Sequence, residues 1–200
     1  MLLNGANILS DKIVIYDDVW NGSYEYLKEK NIDNNLSWIN SIVKGNTVPE
    51  IDYDYRKVYI SIIPYFLDSN SPEVTKSYNG KTIKEISDNI RNNLDFIVDD
   101  YIDHFKIEVT HKERYNLLRY KEGDFFLEHE DNDGTNDRKV SFIYYINDDY
   151  DGGEVYFRKQ GVLVKPKAGQ LLVFPSGSDF RHSISEVTKG TRYCIVSWAS

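Results

Sequence analysis

Cysteine occurs once in the 200 residues, at Cys194. No intrachain disulfide can form, and a Cys-rich zinc site is excluded with it. Basic residues are outnumbered: 24 Lys and Arg stand against 32 Asp and Glu, a formal net charge of −8. General binding to nucleic acid or to an anionic membrane needs a positive surface, so this balance argues against both. It leaves room for a local basic pocket that takes a small anion. Long apolar runs are missing too; none approaches the ~20 residues that a membrane span requires. The opening Met1-Leu2-Leu3-Asn4-Gly5 lacks the basic region and apolar stretch of a signal peptide, so a cytoplasmic protein is expected. What the chain has in plenty is tyrosine, 16 beside a single Met, which favours β structure. Two hundred residues can bury a full core in one domain without disulfides or a structural metal.

The composition changes near residue 106. Residues 1–105 mix helical and extended patterns and read as a supporting region, whereas 106–200 alternates short β-type runs with Gly, Asp, Asn and Pro turns. Early strands are expected at 12–16 and 58–63, the second ended by Pro64, with a short helix at 24–30 after the Asn21-Gly22-Ser23 turn. A longer helix is expected from Thr82, where Ile83, Ile86, Ile90, Leu94, Ile97, Tyr101 and Phe105 recur at three- and four-residue steps. Thr82 and Glu85 have the spacing of a capping box. Asp88, Asp95, Asp99 and Asp103 fall mostly off the stripe and read as a solvated acidic face.

Eight extended runs follow, at roughly 114–121, 125–131, 139–147, 154–159, 162–165, 170–174, 181–187 and 191–198. Their connections are too short for parallel crossovers. Many short strands with regular turns indicate a sandwich or barrel, and eight of them fit a jelly roll. The expected fold is mainly β (α+β): a double-stranded β-helix core with the N-terminal helices packed on one sheet.

Chemistry concentrates in this second half. His129-Glu130-Asp131 closes a strand-like run, and alternation along a strand turns His129 and Asp131 to one face and Glu130 to the other. His182, fifty-three residues later, can return beside them in a jelly roll. Two His and one carboxylate make the facial triad of non-haem Fe(II) oxygenases, although the same donors would accept Zn(II). Arg192 shares a strand face with Cys194, Val196 and Trp198, and an arginine among apolar neighbours is costly unless paired. A ligand carboxylate would satisfy its planar fork. Asp131-Asn-Asp133-Gly134 is only faintly a calcium loop, since His129 and Val140 stand where ligands would be needed. Cys194 reads as an inert buried thiol.

These motifs together resemble a family. Tyr120-Lys-Glu-Gly-Asp-Phe-Phe-Leu-Glu-His129-Glu-Asp131 is similar to the metal-binding stretch of prolyl 4-hydroxylase-type Fe(II)/2-oxoglutarate-dependent dioxygenases. Arg138 to Asn147, Gly152-Gly153-Glu154, Pro166 to Phe174, His182, Gly190-Thr-Arg192-Tyr193 and Trp198 continue the likeness in order across residues 114–200. The resemblance implies Fe(II) held by His129, Asp131 and His182, and a salt bridge from Arg192 to the distal carboxylate of 2-oxoglutarate. It implies Tyr145 on that same carboxylate and Tyr120 touching the cosubstrate. Arg138 and Trp198 would line a peptide groove. It further implies O2 and ascorbate as co-reactants, succinate and CO2 as co-products, and a proline-containing peptide or protein as substrate. The polar loop 132–137 is short, and Glu130 adds a negative charge near the site. Two other readings stand beside this one: an oxygenase acting on another residue or a small molecule, and a catalytically silent jelly-roll binding module.

Overall fold

The computed structural model describes residues 2–3, 5–40, 43–44, 49–50, 54–63, 78–132 and 134–200. Pro64, the expected strand terminator, and Asp133 of the calcium-loop comparison lie outside them.

The first part of the chain forms strands β1 (Ala6–Ser10) and β2 (Ile13–Tyr16), helices α1 (Ser23–Glu29) and α2 (Ile32–Asn35), and the short strands β3 (Ile39–Asn40), β4 (Val43–Lys44), β5 (Pro49–Glu50), β6 (Arg56–Lys57) and β7 (Tyr59–Ile63). Helix α3 (Tyr78–Phe105) follows. The remainder is β8 (Tyr115–Tyr120), β9 (Phe125–His129), β10 (Val140–Tyr145), β11 (Asp151–Gly152), β12 (Val155–Phe157), β13 (Val162–Val164), β14 (Leu171–Pro175), β15 (His182–Ile184), β16 (Val187–Lys189) and β17 (Arg192–Ala199). No helix among the described residues is long and apolar enough to cross a membrane.

Eight strands form a major antiparallel sheet in the order β1-β2-β14-β10-β17-β8-β7-β3. Five form a minor sheet in the order β13-β12-β15-β9-β6. The central strands of the major sheet are apolar at almost every position because the sheet is covered on both sides. Pleating then divides each strand between two cores. Val140, Phe142 and Tyr144 of β10 face the helix side, together with Val14, Leu171, Val173 and Ile195. Ile143 and Tyr145 face the minor sheet, together with Ile13, Leu118, Leu172, Phe174 and Cys194.

Helix α3 supplies the outer layer. Ile86, Ile90, Leu94 and Tyr101 of the expected stripe are fully buried, and Val98 and Ile102 extend it. The acidic face is paired as well as solvated: Lys84 and Arg91 meet Asp88, and Lys112 meets Asp95 and Asp99. The helix begins at Tyr78, four residues before the expected start, so Thr82 is interior and caps nothing. Glu85 instead binds Lys30 Nζ at 2.6 Å, tying α3 to the end of α1. A strand-like pattern also misled at 181–187. That run breaks into β15, which joins the minor sheet, and β16, which pairs with β11.

The N-terminal region does more than support. β2 pairs with β14 and β7 with β8 in the major sheet, and β6 pairs with β9 in the minor one. Arg56 thereby reaches the space between the sheets.

Candidate metal centre and its cavity

Sheet register explains why residues so distant in sequence meet. β9 and β15 run antiparallel with His129 and His182 as direct partners. Both histidines are buried, and their ring centroids lie 4.3 Å apart. Asp131, two residues beyond His129, keeps to the same side; its Oδ1 is 3.8 Å from His129 Nε2. One donor atom from each of the three residues falls within 4.8 Å of the other two. Glu130 stays outside this cluster, with Oε1 3.6 Å from Arg181 Nη1, while lining the adjoining cavity.

Each imidazole is held by a backbone carbonyl. His129 Nδ1 donates to Leu127 O at 2.8 Å, and His182 Nδ1 to Phe180 O at 3.2 Å. Those bonds put the hydrogen on Nδ1 and leave the Nε2 lone pairs for a metal. Phe126 stacks on His129 at 3.5 Å, and Phe174 and Phe157 pack on His182 at 4.8 and 5.4 Å. Burial, with the two rings opposing each other's charge at His129, lowers both imidazole pKa values and keeps the rings neutral. Burial resists ionisation of Asp131, but His182, His129, Ser141 and Trp198 outweigh it and hold the carboxyl below its ordinary range. Two neutral imidazoles and one carboxylate, open on one side, are a donor set for Fe(II) or a similar divalent ion.

A second polar centre stands deeper between the sheets. Arg192, opposite Tyr120 in the β17–β8 ladder, is 1 % exposed. Its guanidinium lies 4.8 Å from the Tyr120 ring and 5.3 Å from that of Tyr145, with Nη1 3.2 Å from Cys194 Sγ. Arg192 Nε and Nη2 have no hydrogen-bond partner, and neither do the buried hydroxyls of Tyr145 and Tyr150. Four partnerless buried polar atoms around one cation are costly unless a ligand satisfies them. An acceptor with two oxygens, such as a carboxylate, matches the fork. Burial raises the pKa of both phenols, so each remains a neutral donor.

A cavity of about 560 Å³ joins the two centres. His129, Asp131, His182, Arg192, Tyr120, Arg138 and Trp198 all line it; Tyr145 and Tyr150 lie at its Arg192 end, against the guanidinium, without being part of the lining. Arg138 lies flat on Trp198, 3.6 Å from the ring, and is clamped by Glu113 at 2.6 and 2.7 Å. Two nitrogens of its fork are thus already committed. Two residues outside the candidates read from the sequence bear on the site: Arg56 lines the cavity, and Tyr150 lies against Arg192. Nothing in the sequence marks either one, because each is a single residue in an irregular or very short element.

Residues 115–200 match the 2OG-Fe(II) oxygenase superfamily. Mouse prolyl 3-hydroxylase 2 is 36% identical over 66 residues, which are 30% of this chain and 9% of that protein. The chain therefore corresponds to a small part of the length of such relatives. Among solved structures, a Pseudomonas putida prolyl-4-hydroxylase aligns with a TM-score of 0.68 at 20% identity, covering 94% of this chain and 92% of its own. A Trichoplax adhaerens prolyl hydroxylase, solved with a hypoxia inducible factor oxygen degradation domain peptide fragment, gives 0.66 at 20% identity, covering 94% and 83%. At such identities the structural likeness speaks for the fold.

Proposed function

We propose that this chain, whose residues 115–200 belong to the 2OG-Fe(II) oxygenase superfamily, is an Fe(II)- and 2-oxoglutarate-dependent dioxygenase that hydroxylates a peptidyl proline. The observation that carries the reading is one cavity with two unlike ends. A His129/Asp131/His182 cluster lies at one end, and the partnerless fork of Arg192 at the other. A 2-oxo dicarboxylate needs both, a metal for its keto-acid end and a cation for its far carboxylate.

Bound Fe(II) would supply the redox chemistry, coupling O2 to decarboxylation of 2-oxoglutarate and oxygen insertion into a substrate C–H bond, with succinate and CO2 as co-products. The protein's part is orientation and exclusion of water. Arg192 Nε and Nη2 would grip the distal carboxylate, and the Tyr145 and Tyr150 hydroxyls would donate to it. Tyr120 would wall the cosubstrate's carbon chain. Trp198 and the clamped Arg138 would border the substrate, the indole offering a flat apolar face to a proline ring. Serving a peptide at a mouth rather than a deep tunnel is consistent with their half-buried positions.

The test is incubation with Fe(II), 2-oxoglutarate, ascorbate and proline-containing peptides, with Asp131→Ala as control. Succinate and an added oxygen on the peptide, both lost in the control, are expected. NMR of the product reads the position, C4 being expected and C3 being the alternative raised by the relatives in sequence. Succinate without peptide oxidation would move the search to another residue or a small molecule. Neither product from iron-loaded protein would overturn the enzyme reading in favour of a binding module.

A further inference from the structure

Arg56 has no task in the function just proposed. It lies on β6, directly opposite Phe126 of β9. Its guanidinium carbon sits 4.2 Å from the Phe126 ring centroid, and that ring is stacked on His129 at 3.5 Å and 13°. The contact brings a cation to within one ring of the candidate metal ligands. Arg56 lines the same cavity, and its Nε is shut from solvent with no hydrogen-bond partner. No carboxylate among the described residues lies within ion-pair distance of it; Asp131 attracts it only from farther away. Tyr120 is its polar neighbour, and the face of Tyr120 is also approached by Arg192.

Two guanidiniums thus flank one phenol with no anion between them. Like charges converging in a closed space raise the cost of burying either. A ligand carboxylate at Arg192 satisfies one fork and leaves the Arg56 Nε without a partner, Tyr120 being the polar group that Arg56 does meet. We propose that Arg56 is a second carboxylate-binding residue of this cavity, beside the metal-ligand cluster. The oxygenase reading enters only in naming the ligand. The carboxylate is either the one next to the keto group of 2-oxoglutarate or one carried by the substrate.

Calorimetry on the full chain loaded with Mn(II) separates these sources. Wild type, Arg56→Gln and Arg56→Lys are titrated with 2-oxoglutarate, with 2-oxobutanoate, and, in saturating 2-oxoglutarate, with a proline peptide carrying Glu or Gln beside the proline. A charge-assisted contact predicts a loss of about tenfold or more in Arg56→Gln, partly restored in Arg56→Lys. Loss toward both oxo acids assigns the cosubstrate carboxylate. Loss confined to the Glu peptide assigns the substrate. NMR of the Arg56 Nε–H in wild-type protein gives a readout that needs no variant. The resonance should move on addition of the carboxylate that binds. Unchanged affinities in Arg56→Gln, or an Nε–H signal indifferent to every carboxylate including acetate, would overturn the proposal. Wild-type protein that binds no 2-oxoglutarate with Mn(II) would instead sink the oxygenase reading, and the acetate titration would still decide Arg56.

Discussion

An arginine whose fork has no partner is a cost to the empty protein and an asset to the loaded one. Arg192 has two such nitrogens, both buried. Replacing it by methionine removes a desolvated charge from an apolar wall, so the ligand-free variant should melt at a higher temperature than wild type. The same variant should need roughly 10- to 100-fold more 2-oxoglutarate, since the lost contact is worth about 1.5–3 kcal/mol. Thermal melts with and without cosubstrate check both halves together. A variant that is destabilised yet keeps its cosubstrate requirement would show that Arg192 serves packing alone. Asp131→Ala and His182→Ala should each abolish iron-dependent turnover, read as succinate formed. Glu130→Ala should leave iron affinity nearly unchanged, because its carboxylate faces Arg181 rather than the cluster. Loss of iron in Glu130→Ala would mean the alternation at 129–131 has been misread.

Elements set where those residues stand, and the Gly152-Gly153 turn shows how tightly. Both glycines have positive φ, +78° and +69°. A Cβ on Gly152 would fall 2.0 Å from the Glu186 carbonyl oxygen, and one on Gly153 would fall 2.8 Å from Arg192 Cδ. Gly152→Ala should therefore force β11 from β16 and destabilise the fold by more than the ~1 kcal/mol typical of an alanine in left-handed backbone. Gly153→Ala should act on the site as well, displacing Arg192 and raising the 2-oxoglutarate requirement. Equal melting temperatures for wild type and Gly152→Ala would contradict the clash. The glycine pair, the β9 alternation and the apolar stripe of α3 were legible because each is a repeating or spaced pattern along one element. The start of α3 was not, since the capping-box spacing of Thr82 and Glu85 says nothing of the ion pair that Glu85 makes with Lys30. The break between β15 and β16 was hidden because a continuous β-type run does not reveal which sheet each half joins. Arg56 escaped for a related reason: its role depends on the cross-strand pairing of a two-residue strand with Phe126.

At the scale of the whole molecule, the major sheet is a shared wall with tyrosines on both sides. Tyr16, Tyr101 and Tyr144 lie in the helix-side core, and Tyr120 and Tyr145 lie between the sheets. Burial raises the pKa of all five, Tyr144 to about 12, with the Asp100 charge adding to the effect at Tyr16. A tyrosine in the unfolded chain gives up its proton near pH 10, while these hold theirs in the fold. The folded state then binds more protons, so stability is fully present below pH 10 and falls as pH rises through the folded values. Each retained proton contributes up to about 1.4 kcal/mol per pH unit to the slope. Several acting together make cooperative alkaline unfolding the expected weak point of this fold, even without ligand. Tyr145 tests the effect, because its phenol is buried against Arg192 and Tyr145→Phe removes the titrating group with little change in packing. That variant should match or exceed wild-type stability at pH 8, lose less of it by pH 11, and bind 2-oxoglutarate more weakly. Denaturant melts at the two pH values, with a cosubstrate titration at the lower one, check all three. Parallel alkaline losses in both proteins would show that the fold does not hold the Tyr145 proton above its unfolded value, and the placement of this phenol as a buried neutral donor would fall with that result.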